Sequence, residues 1–214
     1  MDTGRITELP EQVYGSEALK LANATLANCP VDSPDDADFG GYDAGSGNSS
    51  EVWLRNTSTD SLAQPMTIVM VGKNLTSSQS ASYEVDSNIN NATLRISIRQ
   101  SSGHAYHRVW AGSAYPYMDI IQSSYAFARI VYVNGASTSY HTLLSDGTEY
   151  GPTVIATPGA NPIRGCTLFH HPSTSTEASY HKLALVAMVD GALTAGQETD
   201  FFEKLETEMG FTLP

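Results

Sequence analysis

The sequence predicts an all-β fold: a two-sheet antiparallel β-sandwich with a short N-terminal helix or arm and a short C-terminal helix. Three observations carry this expectation. From about residue 51 onward, short β-branched and aromatic runs recur between turn signals. Two Asx-Gly pairs, Asn134-Gly135 and Asp146-Gly147, stand between such runs at hairpin spacing. Past residue 50 only the last stretch has helical periodicity. The 214 residues suffice for one large sandwich core without disulfide or metal staples.

The first 48 residues read as an arm, and residues 49–214 as the sandwich. Ser16 is placed to cap a short helix with Leu19, Ala22 and Leu26 on one face, and Cys29-Pro30 would end it. An Asp/Gly/Ser-rich loop follows, from Asp32 to Ser50. Met66 to Val71 is an apolar core strand. Leu94 to Arg99 alternates, with Leu94, Ile96 and Ile98 on one face and Arg95, Ser97 and Arg99 on the other. Phe127 to Val133, Ser137 to Leu144 and Glu149 to Ala156 form a three-strand meander through the two Asx-Gly turns. Leu183 to Val189 is a further core strand. Thr194 and Gln197 have capping-box spacing ahead of a helix with Phe202, Leu205 and Met209 on one stripe, closed by Gly210.

Charge narrows the partners. The net charge is −12 and sits at the two ends. Residues 1–45 carry nine acids to two bases, and residues 190–214 carry six acids to one base. Nucleic acid is not an expected partner, because phosphate binding needs a basic surface. No apolar run reaches the length of a membrane span, and no apolar stretch follows Met1-Asp2-Thr3 as a secretion signal would require. Cys29 and Cys166 can pair or remain as buried thiols.

Several segments resemble a known superfamily. FARIVYVNGAST (127–138) resembles a hairpin of laminin-G-like and concanavalin-like domains. KLALVAMVDGALTAGQETDFFEKLETEMG (182–210) resembles their last core strand, Leu-Thr turn and short helix, and PMTIVMVGKN (65–74) fits their early strand. The resemblance covers roughly residues 50–212 and implies a jelly roll of the concanavalin-like lectin and glucanase type. Such domains bind glycans or proteins, sometimes with calcium. GRITELPEQVYGSEALKLA (4–22) is similar to N-terminal adaptor segments of tailed-bacteriophage virion proteins. That similarity implies a virion location, with an extracellular one as the alternative, and other virion proteins or further copies of this chain as partners.

Candidate chemistry is sparse. Sandwich glycosidases set three acids at period two on one strand. Glu84-Val-Asp86 supplies two, and Asn88 and Ile89 stand where the third belongs. Sandwich polysaccharide lyases need Tyr and His near Arg, and His104-Ala-Tyr106-His107 brings the first two together. No histidine pair has zinc-clamp spacing. Asp32, Asp35, Asp36 and Asp38 offer hard oxygen ligands for calcium, but Pro34 interrupts the run and no calcium-loop order is present, so no cofactor is expected. The richest segment is His104–Tyr117. Its Tyr106, His107, Arg108, Trp110, Tyr115 and Tyr117 are candidates to stack on sugar rings and bond hydroxyls, with core packing as the competing role. The expected function is non-catalytic: a structural or adhesion protein, either a head-decoration or a tail-fibre component, that uses a lectin-like sandwich for assembly or for binding glycans. A free carbohydrate-binding module and a polysaccharide-cleaving enzyme are the alternatives.

Overall fold

The computed structural model describes residues 8–9, 21–22, 31–33, 41–43, 54–55, 61–74, 82–86, 94–101, 104–114, 116–121, 125–156, 158–164, 167–168 and 181–214. Two antiparallel sheets and one helix account for nearly all of them. The eight-stranded sheet comprises β1 (Glu8–Leu9), β2 (Leu21–Ala22), β5 (Leu54–Arg55), β16 (Thr167–Leu168), β8 (Ser82–Asp86), β9 (Arg95–Ser101), β10 (His104–Trp110) and β11 (Tyr117–Ile121), in that spatial order. The seven-stranded sheet runs β14 (Glu149–Ala156), β13 (Ser137–Leu144), β12 (Ala126–Val133), β7 (Met66–Asn74), β17 (His181–Asp190), β4 (Gly41–Asp43) and β3 (Val31–Ser33). A small ladder joins β15 (Ile163–Arg164) to β6 (Ser61–Leu62). The helix α1 spans Ala195–Met209.

The alternation of side chains along each strand builds the core. Met66, Ile68 and Met70 of β7 meet Phe127, Val131 and Val133 of β12 and Tyr140 and Leu144 of β13. From the facing sheet come Leu94, Ile96, Val109 and Met118. The two sheets thus share one interior, as a sandwich requires. The opposite face of the seven-stranded sheet carries a second apolar layer. There Val71, Ala126, Ala128 and Leu143 pack with Leu205 and Phe211, flanked by Phe201 and Phe202.

Helix α1 therefore covers the back of the seven-stranded sheet. Its capping box is complete: the Gln197 amide donates to Thr194 Oγ1 at 3.2 Å, and the Thr194 amide donates to Gln197 Oε1 at 2.9 Å. Gly210 closes it in the left-handed region at φ 68°. The expected stripe needs one change. Leu205 is buried and Phe202 half-buried, but Met209 is exposed. The chain turns away at Gly210, and Phe211 takes the place that Met209 was expected to fill. His141 of β13 ties the helix to the sheet. Its Nε2 lies 2.6 Å from Glu149 and its Nδ1 lies 3.4 Å from Glu198 of α1, with the Phe202 ring edge-on at 4.8 Å.

The β12–β13–β14 meander runs as expected. In the first turn Gly135 takes the positive φ, 70°, while Asn134 precedes it and caps the next strand. The Asn134 Oδ1 accepts from the Ser137 amide and hydroxyl, both at 2.9 Å. The opening residues also differ from the expected helix. Leu21–Ala22 is strand and pairs with β1 and β5, and Val31–Ser33 pairs with β4 at the far edge of the other sheet. Ladder partners at long sequence separation override a local helix pattern that rests on three apolar positions. Cys29, Cys166, Asp35, Asp36 and Asp38 lie outside the described residues, and for Asp32 only the backbone is described.

Candidate functional site

The aromatic segment expected to carry function is β10 and the start of β11, the last two strands of the eight-stranded sheet. Register fixes what faces what. Tyr106 opposes Asp119, His107 opposes Met118, and Arg108 opposes Tyr117. Period two then divides the candidates into two groups.

His107 goes inward. It is fully buried, on the same strand face as Val109 and Ala111 of the core. A guanidinium nitrogen of Arg129, itself fully buried on β12, lies 3.1 Å from His107 Nε2. Arginine can only donate, so Nε2 is the acceptor and the ring proton sits on Nδ1. The guanidinium also stacks over Phe127 at 4.6 Å, and the His107 ring meets the same Phe127 edge-on at 5.8 Å. The expectation that His107 touches a ligand at the surface is thus corrected. It is part of a polar cluster between the sheets, because an odd-numbered neighbour of Tyr106 and Arg108 must face the other way. Tyr140 belongs to the same interior. Its hydroxyl donates to the Pro116 carbonyl at 2.9 Å, and burial pushes the phenol well above the usual tyrosine range, against the opposing pull of the positive Arg129.

Tyr106, Arg108 and Trp110 take the outward positions of β10, and Tyr117 joins them from β11. Tyr117 is 51% exposed, and the other three are half-buried. The Tyr106 and Tyr117 rings meet edge to face at 5.3 Å and 88°. Two residues outside the expected sugar-contact set complete this face. His104 Nδ1 donates to Asp119 Oδ1 at 2.9 Å, and the His104 ring lies nearly parallel to Tyr106, 6.1 Å away. The signal was there: His104 is two residues before Tyr106, and Asp119 two after Tyr117. Tyr115 lies outside the described residues.

The base of this face is braced from the loop that precedes β15. The Ala111 amide donates to Pro158 O at 2.8 Å, and the Asn161 amide donates back to Ala111 O at 3.0 Å. Gln64 holds that loop in turn, donating to Gly159 O at 2.9 Å and Asn161 O at 2.8 Å while accepting from the Gly135 amide. Trp110 is therefore followed directly by a residue, Ala111, whose amide and carbonyl are both held by this loop.

Glu84 and Asp86 both lie on β8. The β8–β9 register slips between Tyr83 and Val85, so Glu84 is the extra residue of a bulge.

No protein-family model and no curated sequence matches the chain. Solved structures do match in fold. An arabinofuranosidase complexed with arabinofuranosyl-alpha-1,2-xylobiose superposes with a TM-score of 0.63 at 13% identity, over 94% of this chain and 50% of its own. Domain 4 of AbnA, an extracellular arabinanase from Geobacillus stearothermophilus, in complex with arabinotriose, gives 0.51 at 12% identity, covering 91% of this chain and 86% of its own. A SAP-like pentraxin from Limulus polyphemus gives 0.51 at 16% identity, covering 68% and 72%. The chain spans half the length of the arabinofuranosidase. At these identities the likeness establishes the lectin-like β-sandwich fold, as the order of the sequence motifs implied.

Proposed function

We propose that this chain is a non-catalytic carbohydrate-binding sandwich whose ligand lies on the outer face of β10 and β11. One observation carries the reading: Tyr106, Arg108, Trp110 and Tyr117 share that face, with the His104–Asp119 pair at its end. Aromatic rings offer flat apolar surfaces to the C–H faces of sugars, while the arginine fork and the histidine–carboxylate pair bond hydroxyls. A glycosidase needs two facing carboxylates. Asp119 is the only acid in the sequence of β10 and β11. The neighbour solved with arabinotriose supports sugars as the first probes.

The test is a glycan array followed by titration of the best binder against Tyr117→Ala and Trp110→Ala. Binding that weakens in both variants supports the reading, and an array with no signal from folded protein sinks it.

Polysaccharide cleavage is the second reading, favoured by His104 held on Asp119 and stacked beside Tyr106. Release of new chain ends from any polysaccharide, lost in His104→Ala, would establish it in place of simple binding. A virion setting, whether head or tail, rests on the likeness of residues 4–22 alone. Recovery of the chain in purified particles is its test.

A further inference from the structure

We infer that the outer face of β10 recognises a run of rings within a linear oligosaccharide, laid along the strand, and not a single terminal sugar. This rests on the glycan-binding reading above and concerns the size and direction of the ligand.

The spacing of the aromatic groups is the ground for it. Tyr106 and Trp110 are four residues apart on one strand and on the same face. At a rise of about 3.4 Å per residue they stand about 14 Å apart. One sugar ring cannot touch both. Arg108 lies midway, about 7 Å from each, and Tyr117 faces Arg108 from β11. Stacking surface, cation and stacking surface therefore alternate in a straight line set by the pleat. A strand cannot bend this line to wrap one ring, since β10 is paired to β9 from His104 to Trp110 and to β11 from His104 to Arg108. The two ends are fixed independently. Tyr106 is held edge-on by Tyr117 at 5.3 Å, and the peptide after Trp110 is held by Pro158 at 2.8 Å. Two preformed aromatic subsites joined by a rigid strand gain affinity only from a ligand that spans both, because one chain then makes the second contact without a second loss of freedom.

The experiment is calorimetric titration of the full chain with linear pentose and hexose homo-oligosaccharides, from one ring to six. For the series that binds, affinity rises by about tenfold or more between the disaccharide and the tetrasaccharide and then levels off. Trp110→Ala abolishes that rise and leaves the weak binding of short sugars. Tyr106→Ala, at the other end of the line, does the same and serves as the second variant should Trp110→Ala not fold. Equal affinity for monosaccharide and hexasaccharide overturns the inference while the glycan-binding reading stands. A length dependence that survives in both variants also overturns it, because the second subsite would then lie elsewhere. No binding by any sugar of any length, from protein shown to be folded, overturns the glycan-binding reading and this inference together.

Discussion

Gly159→Ala will weaken the protein by more than its backbone angle alone can explain. Gly159 has a φ of 104°, in the region that L side chains rarely adopt, so any Cβ there costs about 1–2 kcal/mol. A methyl group would also sit inside van der Waals contact of the Ala111 carbonyl, 2.7 Å from its carbon and 2.9 Å from the Ser113 nitrogen. These are backbone atoms and cannot swing aside. The loop must retreat, which stretches the Ala111–Pro158 bond at 2.8 Å and the Asn161–Ala111 bond at 3.0 Å. At about 1 kcal/mol each, their loss adds about 2 kcal/mol. The total is about 3–4 kcal/mol. Gly191→Ala is the control: its φ is 75° and no atom lies within 4 Å of the added carbon, so only the angular cost of about 1–2 kcal/mol applies. Urea unfolding of both variants, with equal slopes, measures the difference. A gap of about 2 kcal/mol is expected, or about 4–8 °C in Tm for a chain of this size. Equal losses in the two variants would refute the claim that this loop braces the end of β10.

Four further outcomes follow from the same geometry. Tyr117→Ala leaves stability within about 1 kcal/mol, as an exposed ring should, but cuts glycan affinity by about tenfold. His107→Ala reverses the pattern: it removes a buried ring and one partner of Arg129, costing about 2–4 kcal/mol in urea unfolding. The Tyr140 phenol is pushed up by burial, so the unfolded chain ionises first, near pH 10, and stability is full below that and falls as pH rises beyond it. The slope is about 1.4 kcal/mol per pH unit for this one proton, and alkaline unfolding of Tyr140→Phe should lose it. Thr194→Ala removes the capping box and costs about 1 kcal/mol, seen as faster amide exchange in the first turn of α1 with the sandwich core unchanged.

Much of the fold was legible because it is written in local pattern. The β12–β13–β14 meander could be read from β-branched runs and two Asx-Gly pairs, and α1 from the Thr194 and Gln197 spacing, since turns and caps demand particular residues at fixed offsets. The opening segment was not legible in this way. Its strands are two or three residues long and draw their bonds from β5 and β17, far along the chain. The candidate site was half legible. The sequence gathered the aromatic residues of 104–117 into one group, but a run of residues does not announce which strand face is wet. Once β10 is known to be a strand between β9 and β11, alternation separates His107 from Tyr106 and Arg108 and adds His104. Asp119 needed the β10–β11 register as well, because its pairing with His104 crosses strands. Arg129 was hidden for a different reason. A buried guanidinium inside an apolar strand reads as an outward-facing residue until the packing of both sheets is known.

Backbone amide chemical-shift mapping with the tightest-binding linear oligosaccharide probes the binding face most directly. Glycan recognition on the outer face of the eight-stranded sheet requires shifts concentrated at His104, Tyr106, Arg108, Trp110, Tyr117 and Asp119, with little change at Ser139, His141 and Leu143 on the back of the other sheet. Shifts confined to that back face or to the meander turns would contradict it, as would a spectrum that saturating oligosaccharide leaves unmoved.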